Sequence, residues 1–447
     1  MLGLVLLLIS SIKLHAPGFL AHSAWLTLGR VRPAGMNALL YGFASQTAIG
    51  VMLWLFCRLG GNRLALPGTT IAGAALWNIA VTLGVAGIMA GASTGFEWLE
   101  MPRSITLLLL AAYALMGAAA GVTFHFRRER TLYVSQWYLL AALFWFPWIY
   151  SCASLLLLFW PVRGTVQSVV NAWFANNLLG IWLGPVALAA LFYFIPKLVV
   201  RPLYNLWLAF FGFWTLAFFT NWAGLTVLVG GPVPAWMTSV SIAANVLLCV
   251  PLLASALNWH LTLRGAYHTA RDKTVMQYMF FGAAAYLLPS AAWILLSFRS
   301  VSAWTHFTFL ESAQRQLLLL GFVGMTLLGS MHYIVPRLLQ RNWTPQRLNL
   351  HFLLSAGGIA LLYLAQCVSG IVQSVKLAEP TIPFINIVKA TVPFGGLATL
   401  GWLLLLAGQL QFLAQLFSLL LKPLPAWRAT VLDMLSSQPV QTTEVKP

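Results

Sequence analysis

Imidazole is the usual axial ligand of protein-bound heme and a common ligand of copper, so the eight histidines are the first residues to weigh. They are His15, His22, His125, His260, His268, His306, His332 and His351, spread along 447 residues. No two have the i, i+1 or i, i+4 spacing that would make a local pair on one helix. His15, His22 and His306 fall in segments between apolar runs, and a metal site shared by those three has no spacing to support it. The other five fall at the ends of apolar runs or in the loops beyond them, as interfacial or capping residues. Cys57, Cys152, Cys249 and Cys367 lie far apart with no CxxC pair, which excludes a zinc motif or a disulfide framework and leaves plain buried thiols.

The elements that must carry any site are membrane helices. The chain is 60% hydrophobic and 7% charged, with mean hydropathy +0.84 and 20 Trp, whereas soluble domains carry about a quarter charged residues. Twelve apolar spans, each of about the length that crosses a bilayer, are predicted at 1–14, 33–58, 69–94, 103–125, 133–160, 166–195, 203–229, 235–261, 274–298, 314–336, 347–373 and 388–420. The first is short; a signal-peptide core or a truncated start are alternatives to a helix there, though no basic segment precedes it and no small-residue cleavage site is clear. The fold class is therefore all-α and polytopic, with a transmembrane domain over 1–421 and a cytoplasmic tail over 422–447. The net charge of +17 comes from Lys and Arg scattered over short loops. That pattern reads as a topology signal and argues against nucleic acid as a partner, leaving membrane lipid. Most of these cations fall on one side when the N-terminus is placed inside, so both termini are predicted to be cytoplasmic. No acidic residue lies mid-span, which disfavours a proton-coupled carrier.

Four segments carry more specific information. They are GRVRPAGMNALLYGF (29–43), WFANNLLGIWLGPVALAALFYFIPKLVVRPLY (173–204), GFWTLAFFTNWAGLTVLVGGPVPAW (212–236) and GFVGMTLLGSMHYIVPRL (321–338). In this order on twelve helices they resemble subunit I of the heme–copper oxidases, and among them the C-family, or cbb-type, cytochrome c oxidase. The resemblance covers most of the chain. It implies a bacterial inner-membrane protein of the respiratory chain, two hemes and one copper, and six metal-ligating histidines with one tyrosine.

Position by position, the resemblance implies that each of these seven residues is changed. The low-spin heme ligand positions are Gly35 and Gln316, and the high-spin heme position is Gln314. The copper positions are Asn176, Thr226 and Val227, and the tyrosine position is Thr220. Gln, Asn and Thr are poor ligands for iron or copper; Gly and Val offer no donor. No bound cofactor is therefore expected, and Leu178, Leu179 and Leu317 to Leu320 are expected to fill the volume a porphyrin would take, unless they face lipid. Glu311 and Arg315, spaced i, i+4, suggest an ion pair closing that volume as a polar plug, or else an interfacial arginine. The expected function is a non-catalytic pseudoenzyme serving as scaffold or partner subunit of a respiratory complex. Two alternatives stay open: a heme-binding electron-transfer or sensing protein with ligands such as His306 and Gln316, and a channel or carrier for a neutral solute or gas.

Overall fold

The computed structural model describes residues 1–421 apart from Asp272; the predicted tail over 422–447 lies outside the described residues. Eleven helices among these are long and apolar enough to cross a membrane, and a shorter apolar helix precedes them. They are α1 Leu2–His15, α2 Leu28–Gly60, α3 Pro67–Ala90, α4 Arg103–His125, α5 Val134–Phe159, α6 Val166–Val199, α7 Leu206–Leu228, α8 Ala235–Leu263, α9 Thr274–Leu296, α10 Phe309–Leu339, α11 Pro345–Leu377 and α12 Phe384–Leu420.

Twelve apolar helices thus stand where twelve spans are predicted, with two shifts of consequence. Helix α2 begins at Leu28, so Pro33 lies inside its first turns instead of at its start. Helix α10 begins at Phe309, so Gln314-Arg315-Gln316 lies within the helix and not at its mouth. In both cases the hydropathy of the first turn is too low to announce the helix. Thr308 caps α10 instead, its hydroxyl accepting from the Leu310 N–H.

The core sits around α6 and α10. Their apolar stretches are 89% and 83% buried inside the bundle, against 22% for α12, which faces outward along most of its length. From Val186 to Ile195 every residue of α6 is buried. Glycines let the helices approach. A Cβ at Gly35 of α2 would lie 2.9 Å from Leu7 Cγ and 3.1 Å from the Gly3 carbonyl oxygen of α1, so backbone meets backbone at that crossing. Gly370 of α11 lies equally close to the first turn of α10, its absent Cβ falling 2.8 Å from Leu310 Cα.

Candidate functional site

Four helices carry the seven positions, and three of these helices loosen into π-helical segments next to them. Ala38–Ser45 follows Gly35 on α2, Leu178–Leu183 follows Asn176 on α6, and Leu317–Gly324 follows Gln316 on α10. Such segments leave i→i+4 pairing locally and are frequent at functional sites. On α6 the Gly184 N–H reaches back five residues to the Leu179 carbonyl. Hydropathy and motif spacing contain no sign of these insertions.

Each position is held by its neighbours rather than presented to a common point. Gly35 is pressed against α1. Gln316 Oε1 accepts from Gln366 Nε2 of α11 at 3.0 Å. Gln314 is buried, and its Oε1 accepts from the Tyr363 hydroxyl at 3.2 Å. Asn176 Nδ2 donates to the Thr220 carbonyl at 2.8 Å, tying α6 to α7. The Thr226 hydroxyl turns back to the Ala223 carbonyl at 3.4 Å. Of the seven, Asn176 and Thr220 are thus joined directly, and with Val227 they share one cavity wall.

Two cavities flank this set. The larger, about 440 Å³, lies between α1, α2, α10, α11 and α12, with Gln316 on its wall. The smaller, about 160 Å³, lies between α6, α7, α8, α9 and α10 and is lined by Asn176, Thr220 and Val227. Ligand pockets for small molecules run from about 300 to 1,000 Å³, so the first is ligand-sized and the second is not. The leucines expected as filler are in place only in part. Leu178, Leu317 and Leu320 are buried, Leu179 and Leu318 line the smaller cavity, and Leu319 lines the larger one without closing it. None of the five buried ones, Leu178, Leu179, Leu317, Leu319 and Leu320, faces lipid.

The expected plug takes a different form. Arg315 does not pair with Glu311. Its Nη1 reaches both carboxylate oxygens of Glu97, at 2.9 and 3.0 Å, in the loop between α3 and α4. Glu311 is taken by His306 Nδ1 at 2.7 Å. The loop delivers Glu97 because it is clamped: Asn171 on α6 exchanges two hydrogen bonds with the Glu97 backbone, at 3.1 Å each, and Tyr41 Oη donates to the Trp98 carbonyl at 2.7 Å. Trp98 has φ +64°, a left-handed conformation that a bulky residue adopts only under such constraint. Glu97, Trp98 and Arg315 border both cavities, so the pair divides the cavities and fills neither. Arg315 is 31% and Glu97 46% exposed, which limits what the pair contributes. Arg315→Leu is expected to change the unfolding free energy by less than about 1 kcal/mol in a denaturant titration.

Glu100, in the same loop, lines the larger cavity. Burial pushes its pKa up, opposed by the Asn37 amide, which donates to Oε2 at 2.7 Å. A carboxyl with a raised folded-state pKa is stabilising when protonated. That stability is lost as pH rises from the ordinary carboxylate range through the folded value. The native protein should therefore melt higher at pH 5 than at pH 8. Glu100→Gln should melt above it at pH 8, with the gap closing as pH falls; a pH-independent gap would contradict this.

The comparisons with known proteins agree with this architecture. The family described as Cytochrome C and Quinol oxidase polypeptide I matches residues 1–404. The chain belongs to this family. It is 25% identical over 427 residues to a cytochrome c oxidase subunit 1 homolog of Azorhizobium caulinodans, covering 91% of this chain and 77% of that protein. It is 23% identical over 400 residues to the cbb3-type cytochrome c oxidase subunit CcoN1 of Stutzerimonas stutzeri, covering 86% and 84%. A heme-copper terminal oxidase dimer solved by cryo-electron microscopy has the same fold, with TM-score 0.69 and 15% identity over 94% of this chain and 84% of that one.

For an oxidase polypeptide I, the side chains at the seven positions make a poor donor set. The two glutamine amide oxygens on α10 already accept hydrogen bonds, Gly35 has no side chain, and the cavity beside Asn176, Thr220 and Val227 is about 160 Å³. Among the described residues no group of three His, Cys, Asp or Glu is placed to hold a metal, so His15, His22 and His306 do not form one. The structure does bring two histidines together, away from these positions. His332 Nε2 and His351 Nδ1 lie 2.9 Å apart, with Tyr278 Oη 2.7 Å from the same Nδ1 and the Gln409 amide 3.0 Å from His351 Nε2. Both imidazoles are buried, which corrects the expectation that they sit at the interface. His332 lies 16 residues beyond Gln316, roughly 24 Å along α10 at 1.5 Å per residue. The partners lie on different helices, α9 to α12, so no local spacing signals them.

Proposed function

We propose that this chain is a non-catalytic relative of oxidase subunit I, acting as a membrane scaffold or partner subunit alongside other subunits of a respiratory complex. It would reside in a bacterial plasma membrane with both termini cytoplasmic, an arrangement that the bias of Lys and Arg over the loops supports. What supports the reading is that Gly35, Gln314, Gln316, Asn176, Thr226 and Val227, the positions to which the resemblance assigns the six ligands, carry no imidazole. Oxygen reduction in this family needs two hemes and a copper, and these side chains offer no means to retain them. Purified protein reduced with dithionite is expected to show no heme α band and only trace iron and copper by mass spectrometry. One heme per chain would overturn the proposal.

A second reading keeps a heme in the larger cavity, and its volume beside Gln316 favours it. His306, the partner named for that role, is engaged by Glu311 and is not on the cavity wall. The carrier reading needs a path between both faces. Neither cavity's lining includes a residue of the loops at the inner end, and the inner half of α6 is fully packed.

A further inference from the structure

The larger cavity has features that neither a scaffold nor a packing remnant requires. Its lining includes the apolar Leu7 of α1, Met36 of α2, Leu319 of α10 and Trp402 of α12, with the buried hydroxyls of Ser10, Ser11 and Ser369. Its polar lining carries both signs of charge, Arg32 and Arg315 with Glu97 and Glu100. Arg32 is exposed and makes no hydrogen bond or ion pair with another described residue. Arg315 is already matched by Glu97, so Arg32 is the lining guanidinium without an ion-pair partner among the described residues. Glu100 on the same wall accepts from Asn37, and burial pushes its pKa up. A guanidinium without an ion-pair partner beside apolar lining residues is complementary to an anionic head on an alkyl chain.

We infer that this cavity binds an amphiphile with a carboxylate or phosphate head, the head at Arg32 and the chain against Leu7, Met36, Leu319 and Trp402. The inference rests on the non-catalytic reading above, since a porphyrin would occupy the same space. Two sources supply this chemistry, a free fatty acid and an anionic phospholipid of the surrounding bilayer.

Full-length protein purified in a mild polyoxyethylene detergent is examined by native mass spectrometry with oleate, dioleoylphosphatidylglycerol or zwitterionic dioleoylphosphatidylcholine added separately. The heme absorbance of the same sample is recorded. The expected result is a one-to-one adduct with an anionic probe, favoured over phosphatidylcholine by about tenfold or more. Oleate alone forming it identifies a fatty-acid site; phosphatidylglycerol forming it identifies a bilayer lipid. Arg32→Gln should reduce the adduct to the phosphatidylcholine level. Arg32→Lys, which keeps the charge, should retain it. Leu319→Trp, which fills the cavity, should abolish it, and Arg32→Gln keeps the test decisive if that variant fails to fold. Heme-free protein that takes no anionic probe, or takes it equally after Arg32→Gln, overturns this inference. Stoichiometric heme in the sample overturns the parent reading instead.

Discussion

Gly35→His is expected to displace α1 without creating an iron site. An imidazole at this position must enter space already held by Leu7 Cγ and by the Gly3 and Leu7 backbone, the nearest of them 2.9 to 3.1 Å from where a Cβ alone would stand. A side chain can swing aside, but a helix backbone cannot do so without breaking the α1–α2 crossing. Overpacking a fitted interior costs typically about 1–3 kcal/mol, occasionally more, and a ring against backbone belongs at the upper end. The companion change Gln316→His faces the larger cavity and gives up one amide hydrogen bond to Gln366, so it should be tolerated. The measurement is thermal unfolding of each single variant and the pair, with a dithionite-reduced spectrum of the pair. Gly35→His melting with the native protein would show that α1 yields easily, and the pair gaining a heme band would show that one heme site is only two substitutions away.

The second large effect is at Gly370→Ala. This methyl would meet the Leu310 N, Cα and Cβ, with Cα and Cβ at 2.8 Å. Leu310 is in the first turn of α10, six residues before Gln316, so α10 must shift away from α11 to admit it. A loss of about 1–3 kcal/mol is expected, with faster chymotrypsin cleavage near the start of α10 as an accompanying sign. Gly357→Ala on the same helix is the control. Nothing lies within 4 Å of its added methyl, and helix propensity alone favours alanine by about 1 kcal/mol. If both variants melt alike, α10 is not seated by the contact with Gly370.

Much of this architecture can be read from the chain because lipid imposes a simple constraint: a span must be long and apolar, and the twelve predicted spans each meet a helix. What cannot be read is whatever depends on two distant segments meeting. Glu311 and Arg315 are one helical turn apart and invite pairing, yet Arg315 finds Glu97, 218 residues away. The alternative depends on how the loop after α3 folds back. His332 and His351 meet only because α10 and α11 pack with Tyr278 and Gln409 between four helices. The π-helical segments leave no mark either, since one extra residue in a turn changes neither hydropathy nor spacing enough to register. For the candidate site, the residue types at Gly35, Asn176, Gln314 and Gln316 are read directly from the chain. The volumes beside them are not, because Leu319 lines a cavity that the Leu run suggested it would close.

The division between the two cavities by a single guanidinium–carboxylate bridge has a thermodynamic consequence. Anything that enters either chamber strips water from the same Arg315–Glu97 bridge and from the Trp98 indole beside it. Dehydration strengthens the electrostatics of such a bridge, and the second occupant then meets a wall whose dehydration has already been met in part by the first. Occupancy of the two chambers should therefore be linked, each raising the other's affinity by the same factor, as reciprocity in binding free energy requires.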